Sequence, residues 1–104
     1  MRLKWTRQAG DTFIEALEYC EAYSATRRLN TEQAILERVK TLEAFPLMGP
    51  IEPYLAKYAP GFGYRFVIAG YYKIVYRVVD EVLWICFILD TRADPARLLD
   101  IQAE

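Results

Sequence analysis

Four cations stand in a row of about twenty residues with no acid among them: Lys57, Arg65, Lys73 and Arg77. Arg92 follows shortly after, in the string Asp90-Thr91-Arg92-Ala93-Asp94-Pro95. Guanidinium groups make paired hydrogen bonds to phosphate or carboxylate, and a lysine adds a compact point charge. Together they suit the recognition of an anion or the stabilisation of charge on a phosphoryl group. Tyrosines interleave with them (Tyr64, Tyr71, Tyr72 and Tyr76), and aromatic rings beside cations are a surface on which bases can stack. Taken singly, each cation reads equally well as solubilising surface, Tyr72 and Tyr76 as core, and Arg92 with its neighbouring aspartates as a salt-bridged turn.

The rest of the composition narrows the chemistry. The chain has no histidine, which removes the side chain best suited to proton transfer near neutral pH. A Ser-His-Asp triad and every His-containing zinc site go with it. No cofactor and no metal site is expected. Two cysteines, Cys20 and Cys86, lie inside apolar segments. They read as buried free thiols in a reducing compartment, with a disulfide between them as the alternative. The formal net charge of −1 is far from a nucleic-acid-binding footprint. Acids gather elsewhere, at Asp11, Glu15, Glu18 and Glu21, on a stripe that is either solvated or a docking surface for a basic partner. No signal peptide and no membrane span is visible, since the longest apolar run, Val82 to Leu89, is far shorter than the ~20 residues a span needs. A cytoplasmic protein of one domain over residues 1–104 is expected, with 54% hydrophobic residues to build its core.

The elements that must position these residues can be read from periodicity. Arg2 to Thr6 alternates basic and apolar side chains, as a strand with one wet face does. Thr6 stands as a helix N-cap, and Ala9, Phe13, Ala16, Leu17 and Cys20 recur at helical spacing, predicting a helix over Arg7–Tyr23. Ser24 to Leu29 reads as a polar link, with Asn30 and Gln33 resembling a capping box that opens a second helix. Ile35, Val39 and Leu42 form its core stripe and Pro46 ends it, so the two helices should make an antiparallel hairpin. Phe45 to Pro53 is an ordered loop punctuated by proline and glycine, while Tyr54 to Gly63 carries no clear pattern.

Three strands follow: Tyr64–Ile68, Tyr72–Val79 and Val82–Leu89, joined at Ala69-Gly70-Tyr71 and Asp80-Glu81. In the middle strand Tyr72, Ile74, Tyr76 and Val78 share one face, and Lys73, Val75 and Arg77 the other. Arg65 is expected across the hairpin from Lys73 and Arg77, so that the cations form one patch which Arg92 joins. The third strand is apolar on both faces and should be central. Ala96–Ala103 reads as a last helical turn or two. The fold class is therefore α+β: an N-terminal strand, a helical hairpin, a three-strand antiparallel meander and a short C-terminal segment.

These pieces, in this order, resemble the RelE/ParE superfamily of toxins from bacterial type II toxin–antitoxin (plasmid stabilisation) modules. The strings that carry the resemblance are Thr6-Arg7-Gln8-Ala9, Phe45-Pro46-Leu47-Met48-Gly49-Pro50 and Tyr64-Arg65-Phe66-Val67-Ile68. Tyr72-Lys73-Ile74-Val75-Tyr76-Arg77-Val78 and Leu89-Asp90-Thr91-Arg92-Ala93-Asp94-Pro95 complete the set. The resemblance implies a strand, a helical hairpin and a curved antiparallel sheet. Its RelE branch implies a ribosome-dependent messenger endoribonuclease, with Arg65, Lys73 and Arg92 falling on catalytic cations. Val67 stands where that branch has a further lysine, and the tail after Arg92 lacks its tyrosine. The ParE branch lacks the nuclease residues and implies inhibition of DNA gyrase. The helix entry at Thr6–Ala9, the proline–glycine loop and the Asp-Thr-Arg-x-Asp-Pro exit favour ParE, so that enzymatic activity is not expected. Both branches imply a cognate antitoxin, bound as a hetero-oligomer, with Arg65, Lys73, Arg77, Arg92 and Tyr72 as candidate contacts to the target or the antitoxin. A degenerate, non-toxic member is the remaining alternative.

Overall fold

The computed structural model describes residues 1–102. Strand β1 (Arg2–Trp5) leads through Thr6 into helix α1 (Arg7–Glu21), and helix α2 (Ala25–Ala44) follows. A short helix α3 (Pro53–Tyr58) precedes the strands β2 (Arg65–Ala69), β3 (Tyr72–Val79) and β4 (Val82–Asp90), and a 3₁₀ helix spans Pro95–Asp100. The expectation over Ala96–Ala103 is met from Ala96 to Asp100; Ile101 and Gln102 lie beyond the helix, and Ala103 lies outside the described residues. The architecture is α+β with a four-stranded sheet in the order β1-β4-β3-β2. The three later strands form the antiparallel meander read from the sequence, and β1 joins it in parallel with β4. This makes β4 central, which explains why it is apolar on both faces.

Helix α1 ends two residues before the expected Tyr23, and β2 and β4 are shifted or extended by one; two larger differences concern α2 and α3. The second helix opens at Ser24, not Asn30: the Ser24 hydroxyl accepts a hydrogen bond from the Arg27 amide at 3.0 Å. An ordinary serine cap thus starts the helix six residues early, and Asn30 is an exposed interior position. The unreadable stretch hides α3. Glu52 caps it by accepting from the Leu55 amide at 2.7 Å, and Pro53 occupies its first turn, where a missing N–H costs nothing.

The core has two layers separated by the sheet. On the helical side Ala9, Ala16, Cys20, Ile35, Val39 and Leu42 pack on Val67, Tyr72, Ile74, Tyr76, Leu83, Ile85 and Ile88. On the other side α3 and the 3₁₀ helix bring Leu55 and Leu98 onto Val75, Cys86, Phe87 and Leu89. Both cysteines are buried, and neither forms a disulfide. Between Val75 and Tyr76 the register with β4 slips by one residue, so that Cys86 is the extra residue of a β-bulge. Cys86 and Phe87 can therefore both join the second layer.

The proline–glycine loop is pinned to the edge of β2. Phe66 N–H donates to Pro50 O at 3.1 Å, Glu52 N–H donates to Tyr64 O at 2.9 Å, and Ile51 bridges Arg65. Gly49 N–H donates to the buried Tyr76 hydroxyl at 3.0 Å. A Cβ at Gly49 would lie 2.3 Å from the Phe66 carbonyl oxygen, a backbone atom that cannot step aside. Gly49→Ala should therefore destabilise the protein by about 1–3 kcal/mol, as overpacking does. Gly10→Ala, in α1 with nothing within 4 Å of the added carbon, should stabilise it by about 0.5–1 kcal/mol. Urea unfolding of both variants checks the opposite signs.

Candidate functional site

The expected single patch of cations does not form. Arg65 pairs with Tyr76 across the β2–β3 hairpin, whereas Lys73 pairs with Ile68. Directly paired residues share a face, so Arg65 lies on the helical side with Tyr76 while Lys73 and Arg77 point to the opposite side. Arg65 Nη1 donates to Gly49 O at 2.8 Å, which ties the loop to the strand. Lys73 Nζ lies 2.9 Å from Glu52 Oε1 and 4.5 Å from the centre of the Phe66 ring. Glu52 is 1% exposed and Lys73 19%, so this is a buried ion pair whose carboxylate also caps α3. Arg77 packs its guanidinium against Phe62 and Tyr64, at 5.3 and 5.7 Å from the ring centres. Its Nε is buried without a hydrogen-bond partner. Val67, at the position of the missing lysine, is buried in the helical-side core.

Arg92 and Tyr72 are the two candidates brought together. They line a cleft of about 440 Å³ between α1 and the end of β4, with Thr12, Glu15, Tyr19, Asp90 and Arg97 among the walls. The cleft exists because β4 is longer than β1. Pairing with β1 ends at Ile85, so the remaining β4 backbone faces α1. Thr12 answers part of it by accepting from the Ile88 N–H at 3.0 Å.

At the cleft mouth Arg92 grips Asp90 with two parallel bonds of 2.9 and 2.8 Å, and its guanidinium lies 4.4 Å from the Tyr71 ring centre. The exit from β4 is thus a salt-bridged turn. Arg97 reaches Glu15 at 3.3 Å. Each of the two arginines in the cleft already faces a carboxylate.

The electrostatics follow from these contacts. The hydrogen bond from Arg92 holds the Asp90 carboxyl below its ordinary range, and the same pairing holds the guanidinium above its own. Burial, reinforced by the Cys20 thiol 3.6 Å away, pushes the Tyr72 hydroxyl up. Tyr19 is pushed up through its 3.1 Å bond to the Tyr23 hydroxyl. These shifts run away from neutrality, whereas a general acid or base needs one toward it. Among the described residues no group of three or more cysteines and carboxylates could hold a metal ion.

Sequence reasoning missed Glu52 and Tyr19. Proline at the first helical position is a start signal and was available at Pro53, although glutamate before it is not among the usual capping residues. Tyr19 carries no such signal; it reaches the cleft through the docking of α1.

A family model described as ParE toxin of type II toxin–antitoxin system, parDE, matches residues 3–95. A solved chain described as "Chromosomal ParDE TA system from P. aeruginosa" is 25% identical. That match covers 85% of this chain and 92% of the other, with a TM-score of 0.66. No curated protein matches the sequence significantly.

Lys73→Ala should strand the Glu52 carboxylate. Its cost should fall near the lower end of the about 3–5 kcal/mol typical of a broken buried pair, because Lys73 retains some contact with water. Lys73→Met combined with Glu52→Gln should recover most of that loss in urea unfolding. The Asp90 shift also sets a pH dependence. A carboxyl held low in the folded state contributes stability above its unfolded pKa of about 3.9, lost as pH falls through the folded value. Asp90→Asn should therefore flatten the acid limb of stability against pH below about 4.

Proposed function

The chain belongs to the ParE toxin family of type II toxin–antitoxin systems, and from that premise we propose that it inhibits DNA gyrase and is neutralised by a cognate antitoxin. The observation that carries the choice of target is the dispersal of the candidate cations. A messenger endoribonuclease needs them convergent on one phosphate. Here Arg65 and Lys73 lie on opposite faces, and Lys73 is matched by a buried carboxylate. The absence of a tyrosine after Arg92 and the net charge of −1 point the same way.

Of the cations singled out in the sequence, Arg92 is half exposed at the mouth of a cleft with aromatic neighbours. Arginine and tyrosine are the residues that protein interfaces concentrate. The Arg92–Tyr71–Tyr19 corner is therefore the part of this surface best suited to a protein partner, antitoxin or target. Tyr72, buried beneath, supports it, while Arg65, Lys73 and Arg77 act through the fold. The antitoxin would be held in a hetero-oligomer in the cytoplasm; no helix among the described residues is long and apolar enough to cross a membrane.

Purified protein in a gyrase supercoiling assay should inhibit supercoiling, and the same preparation should leave messenger intact in a translation extract. Arg92→Ala should weaken inhibition or antitoxin binding while lowering the unfolding free energy by no more than about 1 kcal/mol, as loss of an exposed ion pair does. Messenger cleavage without gyrase inhibition would overturn the assignment.

A further inference from the structure

We propose that the outer edge of β1 is a docking site for an extended segment in which acidic and apolar side chains alternate. The proposal does not depend on which target the toxin has. β1 ends the sheet: among the described residues β4 lies on one side and no strand on the other. Thr6 N–H donates to Ile85 O at 2.9 Å, continuing the ladder just past β1. Backbone groups alternate in direction along a strand, so Arg2, Lys4 and Thr6 turn theirs toward β4. Leu3 and Trp5 then turn their N–H and C=O groups outward, as two donors and two acceptors along an open edge.

The side chains flanking that edge are sorted by face. Leu3 and Trp5 lie on the helical side, half-buried, with the Trp5 ring 5.2 Å from that of Phe13. Arg2 and Lys4 are exposed on the other face, and Lys4 Nζ sits 5.3 Å from the centre of the Trp84 ring. Among the described residues neither Arg2 nor Lys4 takes part in an ion pair. An incoming strand would set one set of side chains against Leu3 and Trp5 and the other against Arg2 and Lys4. Apolar groups fit the first and carboxylates the second. Both docking rows carry their own complement, and the charge selects the partner: a basic or neutral strand would leave two cations unmatched or opposed.

The probe is a synthetic nine-residue peptide alternating Glu and Val, with a second peptide in which Lys replaces each Glu. The chain's two tryptophans, Trp5 and Trp84, flank the site and report binding by fluorescence. The Glu peptide should produce a saturable change that weakens with added salt, and the Lys peptide none. Arg2→Glu with Lys4→Glu, on exposed side chains, should keep the wild-type circular dichroism. It should weaken the Glu peptide by about tenfold or more and confer binding of the Lys peptide. Failure of the Glu peptide to bind, or binding indifferent to the charge exchange, would overturn the proposal and leave Arg2 and Lys4 as guards of an edge against aggregation.

Discussion

The structure turns on a mismatch of strand lengths at the centre of its sheet. β4 runs for nine residues beside a β1 of four. Beyond Ile85 its backbone would face an apolar layer without partners, which a buried strand cannot tolerate. Helix α1 supplies them. The Thr6 hydroxyl accepts from the Ala9 amide as an N-cap and donates to Cys86 O at 3.3 Å. Two turns on, the Thr12 hydroxyl accepts from Ile88 N–H while reaching back to the carbonyls of Gln8 and Ala9. The bulge at Cys86 belongs to the same arrangement, since it alters which β4 groups point toward the helix. Two threonines thereby stand in for a missing stretch of strand. They fix where α1 lies and leave the cleft beyond Thr12, where Tyr72 and Arg92 meet.

A second constraint organises the opposite end of the sheet. Glu52 is a carboxylate removed from water, tolerable only because its oxygens are taken up by the Leu55 amide and the Lys73 ammonium. Its own amide binds Tyr64 O, so one residue joins loop, short helix, edge strand and middle strand. Arg65 and Tyr76 close the same loop through the carbonyl and amide of Gly49. Cations that look like chemistry in a linear reading are here the far ends of structural contacts. A basic sheet is not by itself an anion site: a lysine facing a buried glutamate has little charge left to offer a phosphate.

What was legible in the sequence, and what was not, follows from the range of the forces involved. The alternation in Tyr72–Val79, the period of α1 and the apolar run of β4 are local records of burial, and each element appears where they place it. The serine cap at Ser24 and the Glu52-Pro53 start of α3 are local too, but short and easily outranked by neighbouring polar residues. The position of Arg65 required the hairpin register. One residue of slip in a strand exchanges its faces, so a cation placed across the hairpin without the pairing can land on either side. The cleft was beyond local reading altogether. Thr12, Tyr19, Asp90 and Arg97 come from three segments brought together by the docking of α1 on β4. Of that site the sequence reading held Tyr72 and Arg92, together with the salt-bridged turn around the latter.

The distribution of unmet polar capacity separates support from recognition in this fold. Arg65, Lys73 and Arg77 are spent on a carbonyl, a carboxylate and two aromatic rings, within the body of the protein. Arg92 is bound to Asp90, yet half its surface faces solvent beside Tyr71. Such a pair can act in recognition without catalysing anything: the aspartate fixes the guanidinium plane, which lowers the ordering cost a partner must meet. Fixed, exposed and flanked by aromatic rings, Arg92 has the properties of an interface anchor. The polar contacts around it, Asp90 on the guanidinium and Tyr71 against its face, keep that surface in shape.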